Sequence, residues 1–164
     1  MVHFHRREFE AFVREEERAL ALSPNNSYVL AAVGMWSSFI GEWDRGVALI
    51  AKAQALNPYH PGWYHFPLAI NHYRKGEYEQ AAAAFRNINT PGWYQMHVGL
   101  AASYGQLGRK PEAEAAVKAL LERKPDFLAD PRHFYRTRNM PHDLGERLMD
   151  GLRKAGLDIP PETL

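Results

Sequence analysis

At 164 residues and 46% hydrophobic content, the chain fits one compact domain or one short repeat array that buries a core without external staples. Lys and Arg number 20 against 19 Asp and Glu, a net charge of +1, so no global field draws the protein to nucleic acid or to an anionic membrane. The absence of cysteine removes disulfide frameworks, thiolate zinc sites, iron-sulfur ligation and a cysteine nucleophile together, and it suits a reducing, cytoplasmic setting.

The first residues, from Met1 to Glu8, lack the apolar core and cleavage site of a signal peptide, so secretion is not indicated. Residues 7–24 supply one helix, and the six residues before it are too few to build a packing partner. Phe4, Phe9, Phe12 and Val13 are then partly uncovered, an apolar end of the kind that a neighbouring element normally covers. Three readings stay open there: a plain helix extension, a preceding domain, or self-association into a homodimer through that end. Glu15-Glu16-Glu17-Arg18 reads as a solvated face.

Leu22-Ser23-Pro24-Asn25-Asn26 returns as Leu56-Asn57-Pro58-Tyr59-His60, and the step from Pro24 to Pro58 is one period of 34 residues. Between them Val29, Val33, Trp36 and Ile40 fall on one helical face and Trp43, Val47 and Ile50 on another, with steps of three and four. Gly34 and Gly46 permit close helix approach, and Gly41 suits the left-handed backbone that ends a helix. Two amphipathic helices joined by a tight turn follow. Even the apolar stretch from Tyr28 to Ile40 is broken by Gly34, Ser37 and Ser38, well short of the roughly 20 residues that cross a bilayer.

The next copy turns at Arg74-Lys75-Gly76-Glu77-Tyr78, continues through Ala81, Phe85 and Ile88, and reaches Pro91 early. Pro67 falls inside its first helix, where it should kink that helix or delay its start. A further copy runs through Leu100, Tyr104, Leu107-Gly108-Arg109, Ala113, Val117 and Leu120 to Pro125. Pro-Gly-Trp-Tyr occurs twice, at 61–64 and 91–94. In each case it reads as a helix-start signal whose Trp packs on the preceding hairpin, with contact to a bound peptide as the other use. After Pro125, Asp130-Pro131 and Met140-Pro141-His142-Asp143 open short helices. Leu144, Leu148 and Leu152 step by four, with Arg147, Arg153 and Lys154 on the remaining surface, as in a terminal cap.

These units resemble the tetratricopeptide repeat family over roughly residues 7–125. The resemblance implies an all-α fold: a right-handed superhelix of antiparallel helix pairs with a concave groove and a C-terminal helical cap. One domain spans 1–164, with a partial repeat at 1–26, repeats at about 27–60, 61–91 and 92–125, and the cap at 126–164. If the first helix of each pair lines the groove, as in that family, Tyr28, Met35 and Phe39 face the same hollow as Trp63, Phe66, Ile70 and Tyr73. Arg74 and Gln95 then stand at its edge. Tyr, Trp, Met and Arg are also the side chains that dominate binding hot spots. The expected activity is binding of a protein or peptide partner, without catalysis of its own.

A narrower likeness lies in His60-Pro61-Gly62-Trp63-Tyr64-His65-Phe66-Pro67 and in Asp150-Gly151-Leu152-Arg153-Lys154-Ala155-Gly156-Leu157. These stretches are similar to the C-terminal repeat modules of bacterial class III nucleotide cyclases and winged-helix regulators. That resemblance implies a regulatory or dimerising segment of a larger signalling protein.

The chemical alternatives are weak. His65 and His72 stand seven apart on one helix, with His60 in a preceding turn, whereas a helical metal pair sits at i and i+4. No metal, cofactor or catalytic residue is therefore expected. Asp126, Asp130 and His133 share a short stretch but lack a nucleophile, and helix capping accounts for them. Gly105-Gln106-Leu107-Gly108 lacks the Lys-Ser/Thr of a phosphate loop.

Overall fold

A computed structural model describes residues 9–90 and 92–162. The expectations for Phe4, for the Phe9 side chain and for Pro91 lie outside the described residues. Helix α1 spans Phe9–Leu22, α2 Ser27–Phe39, α3 Trp43–Leu56, α4 His65–Lys75, α5 Tyr78–Arg86, α6 Gln95–Leu107 and α7 Lys110–Arg123. Short α8 covers His133–Arg136 and α9 His142–Lys154, and single 3-10 turns sit at Gly62–Tyr64 and Phe127–Ala129. Among the described residues there is no strand and no helix long and apolar enough to cross a membrane. The architecture is the all-α right-handed superhelix of tetratricopeptide-type hairpins, closed at its C-terminal end by further helix.

Three hairpins, α2–α3, α4–α5 and α6–α7, form the stack, and α1 packs on α2. Asn26 starts α2 by accepting from the amides of Tyr28 and Val29 at 3.0 and 3.2 Å, which satisfies two donors that a helix start leaves orphaned. The first hairpin crosses at two glycines. A methyl on Gly46 would lie 2.5 Å from the Gly34 carbonyl oxygen and 2.1 Å from Ser38 Oγ, so only hydrogen fits between these backbones. The tight turns of the next two hairpins end their first helices on left-handed glycines, Gly76 at φ 80° and Gly108 at φ 68°.

Pro67 delays its helix and does not kink it. The 3-10 turn at Gly62–Tyr64 takes the chain round, α4 begins at His65, and Pro67 falls in the first turn, where an amide hydrogen would have had no intrahelical acceptor.

The C-terminal segment does more than seal the last hairpin. It returns across the first helices of the second and third hairpins and packs α9 along α6. At one end the Phe134 ring meets the Phe66 ring edge-on at 6.5 Å. At the other, the Tyr73 hydroxyl donates to the Arg147 carbonyl at 2.8 Å and the Arg147 guanidinium donates to the Arg74 carbonyl at 3.0 Å. A methyl on Gly105 would stand 2.0 Å from the Gly151 carbonyl oxygen, so α6 and α9 touch backbone to backbone. Leu144, Leu148 and Leu152 are fully buried in this contact. Arg147 and Arg153 are not simply surface charges: Arg153 donates to the Ile159 carbonyl at 2.9 Å and reaches Glu146 at 3.3 Å.

Candidate functional site

That return decides which of the expected groove residues remain available. Phe39, Phe66, Ile70 and Tyr73 are core: Phe39 and Phe66 keep 2% of their surface, Ile70 and Tyr73 none. Burial corrects the sequence expectation for these four, and over Phe66 and Tyr73 the cover is the C-terminal segment. Phe66 is enclosed by the rings of Phe39, Phe85, Trp93 and Phe134, all with centroids within 6.5 Å. Tyr73 is fixed through its hydroxyl, which burial holds well above its ordinary pKa. Arg74 is half-buried, with its guanidinium 5.1 Å from the centroid of the Trp43 ring and donating to Asn71. Gln95 sits at the start of α6 with Oε1 enclosed and unpartnered.

The other three residues, Tyr28, Met35 and Trp63, meet at an open furrow of about 480 Å³ near the N-terminal end. Its walls are completed by Phe12, Glu15, Glu16 and Ala19 of α1, by Ala32, Val33 and Trp36 of α2, and by Trp93. Tyr28 is 64% exposed and sets its ring edge-on to Trp63 at 5.8 Å. The two Pro-Gly-Trp-Tyr segments thus deliver Trp63 and Trp93 to one hollow. Trp63 also packs on the cluster of Leu30, Ala31, Ile50, Ala53 and Tyr64, so the role on the preceding hairpin and the place at the furrow coexist.

Glu16 is the residue that sequence reasoning misplaced. Expected on a solvated face, it is 4% exposed. Its Oε2 accepts from Ser37 Oγ at 3.1 Å and lies 3.9 Å from Arg45 Nη1, while Oε1 has no hydrogen-bond partner. Burial pushes its carboxyl up to about 7, outweighing the hydrogen bond from Ser37 and the charge of Arg45. A signal was present: Phe12 and Glu16 stand four apart and so share a helical face with the core. Glu15 and Glu17 are exposed as expected, and Glu17 pairs with Arg45 at 2.7 Å.

The remaining titratable clusters have structural explanations. Lys124 holds Asp126 at 2.6 Å and keeps its carboxyl below the usual carboxylate range. Asp130 accepts from the His133 amide at 3.2 Å and from Arg136 at 2.5 Å. His72 pairs with Glu77 at 2.5 Å, while His60 stacks on Tyr64 at 5.1 Å. His142, Glu146 and Glu162 place possible ligand atoms within 4.8 Å of one another. Glu146, however, is already clasped by Arg132 at 2.8 Å and Arg153 at 3.3 Å, and two guanidinium groups oppose a further cation.

No family model and no curated protein sequence matches the chain. Among solved structures it is similar to MamA, a tetratricopeptide-type helical repeat protein. The TM-score is 0.63 over 93% of this chain and 90% of that one, at 18% identity. At that identity the likeness concerns the fold.

Proposed function

We propose that the chain is a protein-binding repeat module, without a reaction of its own, which receives an apolar segment of a partner in the furrow between α1, α2, Trp63 and Trp93. One observation carries this reading. The C-terminal segment fills the face shared by α4 and α6, yet nothing among the described residues fills the adjoining hollow at α1 and α2, which has three indoles, Tyr28, Met35 and Phe12 at its walls. Its size is that of a pocket that takes one or two large side chains, and Trp and Tyr are the types that anchor interfaces. The fold of the MamA neighbour, a stack of helical hairpins, supports the same use.

Trp63→Ala together with Tyr28→Ala tests it. Capture of partner proteins, measured by affinity purification and then with the purified partner, is expected to fall at least tenfold while far-UV circular dichroism stays helical. Unchanged capture by the double variant would sink the furrow. Dimerisation through the same end is the competing use, and light scattering separates the two: a mass that doubles with concentration and halves in the double variant points to a second copy.

A further inference from the structure

The furrow's chemistry is more specific than its apolar lining. Among the described residues that line it there is no Lys, Arg or His, and Glu15 and Glu16 are the only carboxylates. Glu16 is almost wholly enclosed, and one of its oxygens lacks any donor. A buried carboxylate normally has all its acceptor sites satisfied, so an orphan at a pocket wall marks a place where a donor is missing. The same furrow is lined by Tyr28, Trp63 and Trp93, whose rings attract a cation through the ring quadrupole.

We infer that the furrow takes a cationic side chain, the ammonium of a lysine or the guanidinium of an arginine on an otherwise apolar partner segment, and pairs it with the Glu16 carboxylate among the indole rings. The inference rests on the furrow being the binding site. Charge complementarity selects this occupant over a purely apolar one. The charges near Glu16 on other elements are Arg45 and Glu42, neither among the described residues that line the furrow, and Ser37 on α2 engages only Oε2. The terminal torsion of a glutamate is soft, so the carboxylate turns its free oxygen toward an arriving donor at small cost.

Binding of this kind is coupled to a proton. Burial keeps the Glu16 carboxyl near 7, helped by Glu42 and Glu17 and opposed by Ser37 and Arg45. A cation at the furrow favours the ionised form, so its arrival releases the proton, and affinity rises with pH until the carboxyl is fully ionised.

The test uses n-hexylammonium as the probe for a lysine side chain with apolar neighbours, and n-hexanol as its neutral counterpart. Both are titrated into the whole protein while the four tryptophan indole N–H signals are followed by NMR. At pH 8 the ammonium is expected to bind about tenfold more tightly than the alcohol, shifting Trp36, Trp63 and Trp93 and leaving Trp43 in place. Between pH 8 and pH 6 its affinity is expected to fall about tenfold while that of the alcohol stays constant. Glu16→Gln, which keeps the shape of the protonated side chain, is expected to abolish both the preference and the pH dependence. Equal binding of the two probes, or a preference that survives Glu16→Gln, overturns the cation site and leaves the apolar furrow standing. Absence of indole shifts with either probe overturns both. The pH dependence in the unaltered protein decides the matter even if the variant proves unstable.

Discussion

Trp63 and Tyr73 bracket one helix of the same repeat face, and they differ in what covers them. Around Tyr73 the chain's own C-terminal segment covers the helix face, down to a backbone carbonyl for the tyrosine hydroxyl. Around Trp63 nothing from the described residues fills the equivalent space, and the furrow stays open. Side chains of the same type therefore become core in one half and candidate contacts in the other. Local sequence does not separate them; the destination of a segment some 70 residues downstream does.

The sharpest way to break this comparison is to truncate both residues. Tyr73→Ala removes a ring with no exposed surface and is expected to cost about 3–5 kcal/mol in chemical denaturation. Trp63→Ala is expected to cost much less stability. If the two cost the same, the furrow is as closed as the C-terminal half.

Next in size is the pH dependence of stability at Glu16. Its folded pKa of about 7 lies above the ordinary 4.5, so the protonated form is favoured by folding. The associated stabilisation is fully present below pH 4.5 and is lost as pH rises through 7. Relative to Glu16→Gln, the parent protein is expected to lose up to ~3 kcal/mol across that window. Parallel stability curves for the two proteins would show that the carboxylate is solvated after all.

Gly105→Ala probes the covered half directly. An exposed helical Gly→Ala change gains about 1 kcal/mol, but here the methyl would meet the Gly151 carbonyl and drive α9 off α6. A net loss of about 1–3 kcal/mol is expected, with raised binding of a hydrophobic dye as Phe66 and its neighbours are uncovered. Tyr73→Phe is a finer probe of the same contact. It removes one hydrogen bond and is expected to cost about 1 kcal/mol, softened because Gln106 still donates to the Arg147 carbonyl at 3.3 Å. The smallest effect belongs to Tyr28→Ala in the open half, expected within about 0.5 kcal/mol of the parent because the ring is largely exposed.

Much of the fold was legible because it is written in local terms. The steps of three and four at Val33, Trp36, Trp43 and Ile50, and the glycines at 34, 41 and 46, prescribe a helical hairpin whatever lies elsewhere. Pro67 left two outcomes open, a kink or a late start, and the structure shows the late start of α4. The candidate site was legible in part. Tyr28, Met35 and Trp63 were chosen for residue type and helix face, and the furrow includes them. Phe66, Ile70 and Tyr73 were chosen by the same rule and are buried, since the rule assumes a bare groove.

What the residues determined alone is therefore the repeating unit: helix, tight turn, helix, and the small residues that let two backbones cross. Each of those preferences acts within a few residues, through periodicity, capping and positive φ, and survives without knowledge of the rest. Tertiary structure decided where the C-terminal segment docks, which half of the shared face it closes, and that Glu16 is enclosed with an oxygen to spare. Burial and pairing of that kind depend on surfaces brought together from distant parts of the chain.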